Sequence, residues 1–162
     1  MTRPESKPEL STPDADELVI GMVSARWNAD IVDRLRAGAN AVAGEAGATT
    51  IDVTAPGAFE LPYAARVLAM SGTVDAIVVL GAVIRGETTH YELVSEGCAD
   101  GVMSVQLETG IPIGFGVATV EHHEQAMARS GPEHNVGADA MRAAIEMAVL
   151  ARTTPRGPSA RP

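Results

Sequence analysis

Val79-Leu80-Gly81-Ala82-Val83-Ile84-Arg85-Gly86-Glu87-Thr88-Thr89-His90-Tyr91 opens as an unbroken apolar run and closes in a polar turn. The run predicts a strand over Ala76–Val83. Its apolar residues do not alternate with polar ones, so both faces of that strand are buried and it lies centrally in a parallel sheet. A helical pattern follows from Tyr91 to Glu108. In an open α/β sheet, ligands bind beyond the carboxyl ends of the strands. The turn offers backbone N–H groups and threonine hydroxyls suited to an anion. It also offers one histidine, which titrates near neutral pH. The segment by itself points to an enzyme acting on a phosphorylated small molecule.

Strand and helix patterns alternate on either side of it. Strands are expected over Leu18–Ser24, Thr49–Thr54 and Pro112–Thr119, the last rich in glycine and therefore weaker. Helices are expected over Asp30–Glu45, Glu60–Met70, His122–Ser130 and Asn135–Arg152. Ile31, Val32, Leu35, Ala39 and Val42 share one face of the first helix. Met141, Ala144, Ile145, Ala148 and Val149 share one face of the last. Pro62 is tolerated in the first turn of its helix. Right-handed crossovers then give a four-stranded parallel sheet covered by helices on both faces, with all carboxyl ends along one edge. Residues 1–17 and 153–162, rich in proline and charge, are expected as a flexible arm and tail around one domain over 18–152.

Composition narrows the function. A chain of 162 residues with 46% apolar content buries a proper core. A net charge of −9 argues against general nucleic-acid binding and against docking on anionic membranes. No apolar run is long enough for a membrane span. The polar stretch Met1–Glu17 has no apolar signal core, and a cytoplasmic protein is expected. The single cysteine, Cys98, sits in a helical pattern and reads as a small core residue rather than a nucleophile. Aromatics are only 3% of the chain, and Trp27, Phe59, Tyr91 and Phe115 fall in or beside expected loops. That distribution favours a stacking site for a flat ligand over aromatic core packing.

Several residues carry two readings. Gly81 and Gly86 have the spacing of a nucleotide phosphate loop, but Glu87 stands where lysine is needed, which rejects a nucleotide. Gly86, Thr88 and Thr89 either cradle one phosphate or cap a helix. His90 is either a general acid/base or a polar residue at a helix start. Metal-ligand spacing is missing around it, so no metal is expected. His122 and His123 read as a solvated face, and His134 as a turn residue. Glu60 either balances the positive end of a helix or accepts ligand hydroxyls. Arg129 is either a helix C-terminal charge or, beside a phosphate, its clamp.

Four separated stretches, taken together, resemble the lumazine synthase family. They are Ser24-Ala25-Arg26-Trp27-Asn28, Pro56-Gly57-Ala58-Phe59-Glu60-Leu61-Pro62, Gly81 through Glu92, and Phe115-Gly116-Val117. The resemblance runs from Leu18 to about Leu150. It implies a flavodoxin-like three-layer α/β/α sandwich assembled as a homopentamer, with twelve pentamers forming a sixty-subunit capsid in some members. It also implies 6,7-dimethyl-8-ribityllumazine synthase activity in riboflavin biosynthesis. There, 5-amino-6-ribitylamino-2,4-pyrimidinedione condenses with 3,4-dihydroxy-2-butanone 4-phosphate, without metal or organic cofactor. The resemblance casts His90 as proton shuttle and Trp27 as the stacking residue, where the family usually has phenylalanine, with Asn28 beside it. Ala58, Phe59 and Glu60 would meet the ribityl chain, and Val83 and Ile84 the pyrimidine edge. Gly86, Glu87 and Thr88 would hold the phosphate. Arg129 and Phe115 would reach in from a neighbouring subunit. One departure stands out: many members read Asn-Lys-Gly where this chain has Asn135-Val136-Gly137, so a site cation is missing. That departure leaves open a second class, a low-activity or non-catalytic lumazine- or riboflavin-binding homologue; a third class, a shell protein, finds no cargo-binding signal in the sequence.

Overall fold

Four parallel strands lie in the order β2-β1-β3-β4 in the computed structural model, which describes residues 6, 8 and 13–158. They are β1 (Val19–Ala25), β2 (Thr49–Ala55), β3 (Ala76–Ile84) and β4 (Ile113–Val120). The helices are α1 (Ala29–Ala46), α2 (Leu61–Met70), α3 (His90–Thr109), α4 (His123–Ala128) and α5 (Val136–Thr153), and a single 3-10 turn over Ala58–Glu60 leads into α2. Each expected element is present, with ends moved by a few residues at most.

The continuous run in β3 has the expected cause. Val78, Leu80 and Ala82 point into a core shared with Leu35 of α1 and Met141 and Ile145 of α5. Ile77 and Val79 point the other way, into a core shared with Leu61 and Leu68 of α2 and Cys98 and Val102 of α3. Two apolar layers therefore sandwich the sheet, giving the flavodoxin-like three-layer arrangement. Cys98 is fully buried, and burial pushes its thiol up to about 11, as an inert core residue requires. None of the five aromatic residues is buried. Aliphatic side chains and methionine fill both cores.

Two expectations are corrected. The glycine-rich β4 is not weak: it pairs with β3 through eight consecutive positions, from Ile77–Ile113 to Ile84–Val120. Its glycines face α5. A Cβ at Gly114 would strike the carbonyl oxygen of Ala140, and one at Gly116 would stand 2.6 Å from Leu80 Cδ2. The second correction concerns Phe115, which sits well inside β4, as the expected strand over Pro112–Thr119 already placed it, and not beside a loop. The stretch assigned to an N-terminal arm lies mostly outside the described residues. Its last part is docked: Ala15 is fully buried, and its N–H donates to Ala46 O at 2.9 Å. The tail beyond 158 also lies outside the described residues.

Close approach recurs where α5 meets α1. Asn135 caps α5 by accepting from Ala138 N, while its Nδ2 donates to Arg34 O and Ser130 O. Two residues on, a Cβ at Gly137 would collide with the carbonyl oxygen of Leu35. Val136 between them is half-buried and packs against the first core. Gly137→Ala should therefore cost about 1–3 kcal/mol through overpacking. Gly44→Ala, on α1 with open space around it, should instead stabilise by about 0.5–1 kcal/mol. Urea unfolding of the two variants tests this opposition of sign.

Candidate active site

Strand order reverses between β1 and β3, and a crevice opens beyond their carboxyl ends at such a point. A cavity of about 540 Å³ lies there. Trp27 and Asn28 enter it from the β1–α1 turn, Ala58, Phe59 and Glu60 from the turn before α2, Val83 and Ile84 from the end of β3, and His90 from the first turn of α3. Gly57, Ala82, Leu93 and Val94 complete its lining. Gly86, Glu87 and Thr88 form the exposed loop joining Ile84 to His90 and do not line it. Phe115 and Arg129 lie outside it in the single chain.

Local geometry explains each placement. Asn28 adopts the left-handed conformation (φ 56°), which asparagine tolerates better than most residues. Its Nδ2 donates to Ala82 O at 2.9 Å, tying the β1–α1 turn to β3. Arg26 N donates to Ala55 O and Trp27 N to Pro56 O, so the indole is presented from a fixed turn while 73% of it stays exposed. Gly57 keeps the gap between Trp27 and Glu60. A Cβ there would be 3.0 Å from Trp27 Cδ1 and 3.2 Å from Glu60 Oε2. Gly97 on α3 plays the same part beneath Phe59, whose Cε2 would be 3.1 Å from an added Cβ.

The alternatives left by the sequence resolve in part. Glu60 stands at the N-terminus of α2 but makes no capping hydrogen bond, and it lines the cavity. The side chain of Thr89 does not cap α3. Thr88 instead accepts from His90 N through Oγ1 at 3.3 Å. His122 and His123 are exposed, yet both make contacts. His122 forms a capping box with Gln125 at the start of α4. His123 Nε2 lies 2.8 Å from Asp30 Oδ2, which holds the Asp30 carboxyl below its ordinary range. Arg129 Nη1 donates to Gln125 O. Among the described residues, no cluster of three or more His, Cys, Asp or Glu suits a metal ion, and no helix is long and apolar enough to cross a membrane.

Sequence reasoning passed over Arg85. Its Nε donates to Glu121 Oε2 at 2.7 Å, its Nη1 to Glu92 Oε1, and its guanidinium carbon stands 4.2 Å from the centre of the Tyr91 ring. The Arg-Gly-Glu sequence gave only one hint, an arginine at the end of an apolar strand.

This arrangement defines a doubly wound α/β protein with an open cavity at its switch point, lined by an exposed aromatic, a carboxylate and a histidine at a helix start. The family model described as 6,7-dimethyl-8-ribityllumazine synthase matches residues 17–152. Similar proteins bearing that name include one from Xanthomonas oryzae pv. oryzae, 49% identical over 138 residues (83% of this chain, 90% of the relative). Another, from Deinococcus deserti, is 44% identical over 146 residues (88% and 94%). A third, from Kineococcus radiotolerans, is 43% identical over 152 residues (91% and 93%). The chain belongs to the 6,7-dimethyl-8-ribityllumazine synthase family.

The Arg85 hydrogen bond holds the Glu92 carboxyl below its ordinary value of 4.5. A carboxylate lowered in the folded state stabilises that state above its unfolded value, and the contribution disappears as pH falls through the lower folded value. The contact should therefore persist through pH 4.5 and release only in stronger acid. A ¹³C carboxyl titration should place the Glu92 midpoint below 4.5, and Arg85→Met should return it toward 4.5.

Proposed function

We propose that this chain is a transferase of riboflavin biosynthesis. It condenses 5-amino-6-ribitylamino-2,4-pyrimidinedione with 3,4-dihydroxy-2-butanone 4-phosphate, releasing 6,7-dimethyl-8-ribityllumazine, phosphate and water. The observation that carries this reading is the convergence of Trp27, Phe59, Glu60, Val83, Ile84 and His90, from four separate chain segments, on one cavity. In it, Trp27 stacks on the pyrimidine ring, with Asn28 supporting the turn. Backbone groups of Val83 and Ile84 read the ring edge. Backbone groups of Ala58 and Phe59, with the Glu60 carboxylate, take the ribityl chain. Gly86, Glu87 and Thr88 hold the phosphate of the second substrate beside His90.

The reaction joins an amine to a ketone, expels phosphate and closes a ring. Each step moves a proton and needs little covalent help from the protein. Holding two reactants in contact can supply on the order of 7–11 kcal/mol. An acid/base positioned as His90 is adds roughly 10²–10⁴-fold.

A homopentamer completes the site. Tyr63, Val67 and Met70 leave an apolar stripe exposed on α2, and Met103 and Leu107 do so on α3. Exposed apolar side chains at helical spacing on two neighbouring helices suit an interaction surface. Phe115 and Arg129 lie off the cavity of their own chain and serve the site of the adjoining copy. There Arg129 clamps the phosphate through its planar fork of donors. Val136 adds no charge, so Arg129 carries more of that task than it would beside a lysine.

Mixing the chain with both substrates and following lumazine fluorescence tests the reading, and no product at any enzyme concentration would sink it. His90→Ala should lower kcat by roughly 10²–10⁴-fold without abolishing turnover. Trp27→Ala should raise KM for the pyrimidine, and Arg129→Ala should raise KM for the phosphorylated ketone. Light scattering should find a pentamer or a multiple of it, and a fully active monomer would contradict the shared site.

A further inference from the structure

The loop that joins β3 to α3 is not held by packing. Every residue from Arg85 to His90 is exposed, and a Cβ added at Gly86 would meet nothing within 4 Å. The backbone bonds around it are few: Arg85 N to Val120 O at its start, and Leu93 N to Thr89 O at its end. Side chains do the rest, and one residue supplies most of them. Arg85 reaches Glu92, the third residue of α3, with one nitrogen. With another it reaches Glu121, the first residue past β4. Its guanidinium lies over the ring of Tyr91, next to His90. The link continues outward, because Glu121 N donates to Gln125 Oε1 on α4, the helix whose C-cap is Arg129.

We propose that Arg85 is a positioning residue: its guanidinium clamps both ends of the 86–89 loop and thereby sets His90 and the phosphate-holding backbone against the cavity. Two carboxylates already occupy Arg85, so it acts through the loop and not on the substrate. Glu92 and Glu121 are its necessary partners. Each contact is a surface ion pair, and such pairs contribute little to global stability. The clamp therefore shows in local order and in substrate handling, and not in the unfolding temperature. Its kinetic meaning rests on the reading given under Proposed function.

The test uses the full chain in its assembled state, with Arg85→Met, Arg85→Lys, Glu121→Ala and Glu92→Gln. Hydrogen exchange, read without ligand, should speed up in peptides covering 85–95 of Arg85→Met and stay unchanged in α1 and α5, with the melting temperature little altered. In turnover, Arg85→Met should raise KM for the phosphorylated ketone and lower kcat by about 10- to 10²-fold, the scale of a misplaced reacting group, while KM for the pyrimidine holds. Arg85→Lys should recover part of the loss, since an ammonium serves one carboxylate at a time. Glu121→Ala and Glu92→Gln should each reproduce part of it. Unchanged exchange in Arg85→Met would overturn the clamp. So would a kinetic defect in Arg85→Met that neither carboxylate variant shares, because Arg85 would then act on the ligand directly. Absence of turnover in the unmodified chain would instead fault the functional reading, and the exchange measurement would still judge the clamp.

Discussion

Strand β3 has no wet face. Val78 and Leu80 need the α1–α5 layer, Ile77 and Val79 need the α2–α3 layer, and its backbone needs a strand on each side. Leaving any of these unmet would expose apolar area or strand polar backbone groups in an apolar interior. Meeting them all places β1 on one side of β3 and β4 on the other. Because β2 lies beyond β1, the chain winds one way from β1 and the other way from β3. The crevice that opens where the winding reverses is the cavity itself. The location of the site is thus a consequence of how one strand is buried.

Close backbone approach is the second structural theme. Gly114 and Gly116 let α5 lie on β4, and Gly137 lets it lie on α1. In an Ala- and Val-rich core, short distances replace the contact area that large aromatics supply elsewhere. The aromatics are thereby released to the surface and the site, which is where Trp27 and Phe59 are found. The motif Asn135-Val136-Gly137 shows the same economy. Asn135 and Gly137 serve the cap and the helix packing, and Val136 between them packs its side chain against the first core.

Most of the cavity's lining was legible because its residues follow strand ends directly. Trp27 and Asn28 come just after β1, Phe59 and Glu60 just after β2, and Val83, Ile84 and His90 at or just beyond the end of β3. In a parallel sheet, that position alone brings them together. Other features were not legible. The partnership of Arg85 with Glu121 spans 36 positions and depends on β3 and β4 lying in register. The tie from Asn28 to Ala82 O spans 54 and depends on β1 and β3 being neighbours. The glycines of β4 read as weakness because their reason, the carbonyl of Ala140, is far away in sequence.

By itself, the sequence determined the element types, the parallel sheet with two buried faces and the strand-end residues that line the cavity. Each of these is written in local periodicity and in short motifs. Tertiary structure alone decided which side chains touch: how Gly57 parts Trp27 from Glu60, what holds the loop before His90, and why β4 carries glycine. The physical reason is range. Hydrophobic patterning acts through burial and repeats every few residues, whereas hydrogen bonds, ion pairs and steric fit act over a few ångströms between groups that only the folded chain brings within reach.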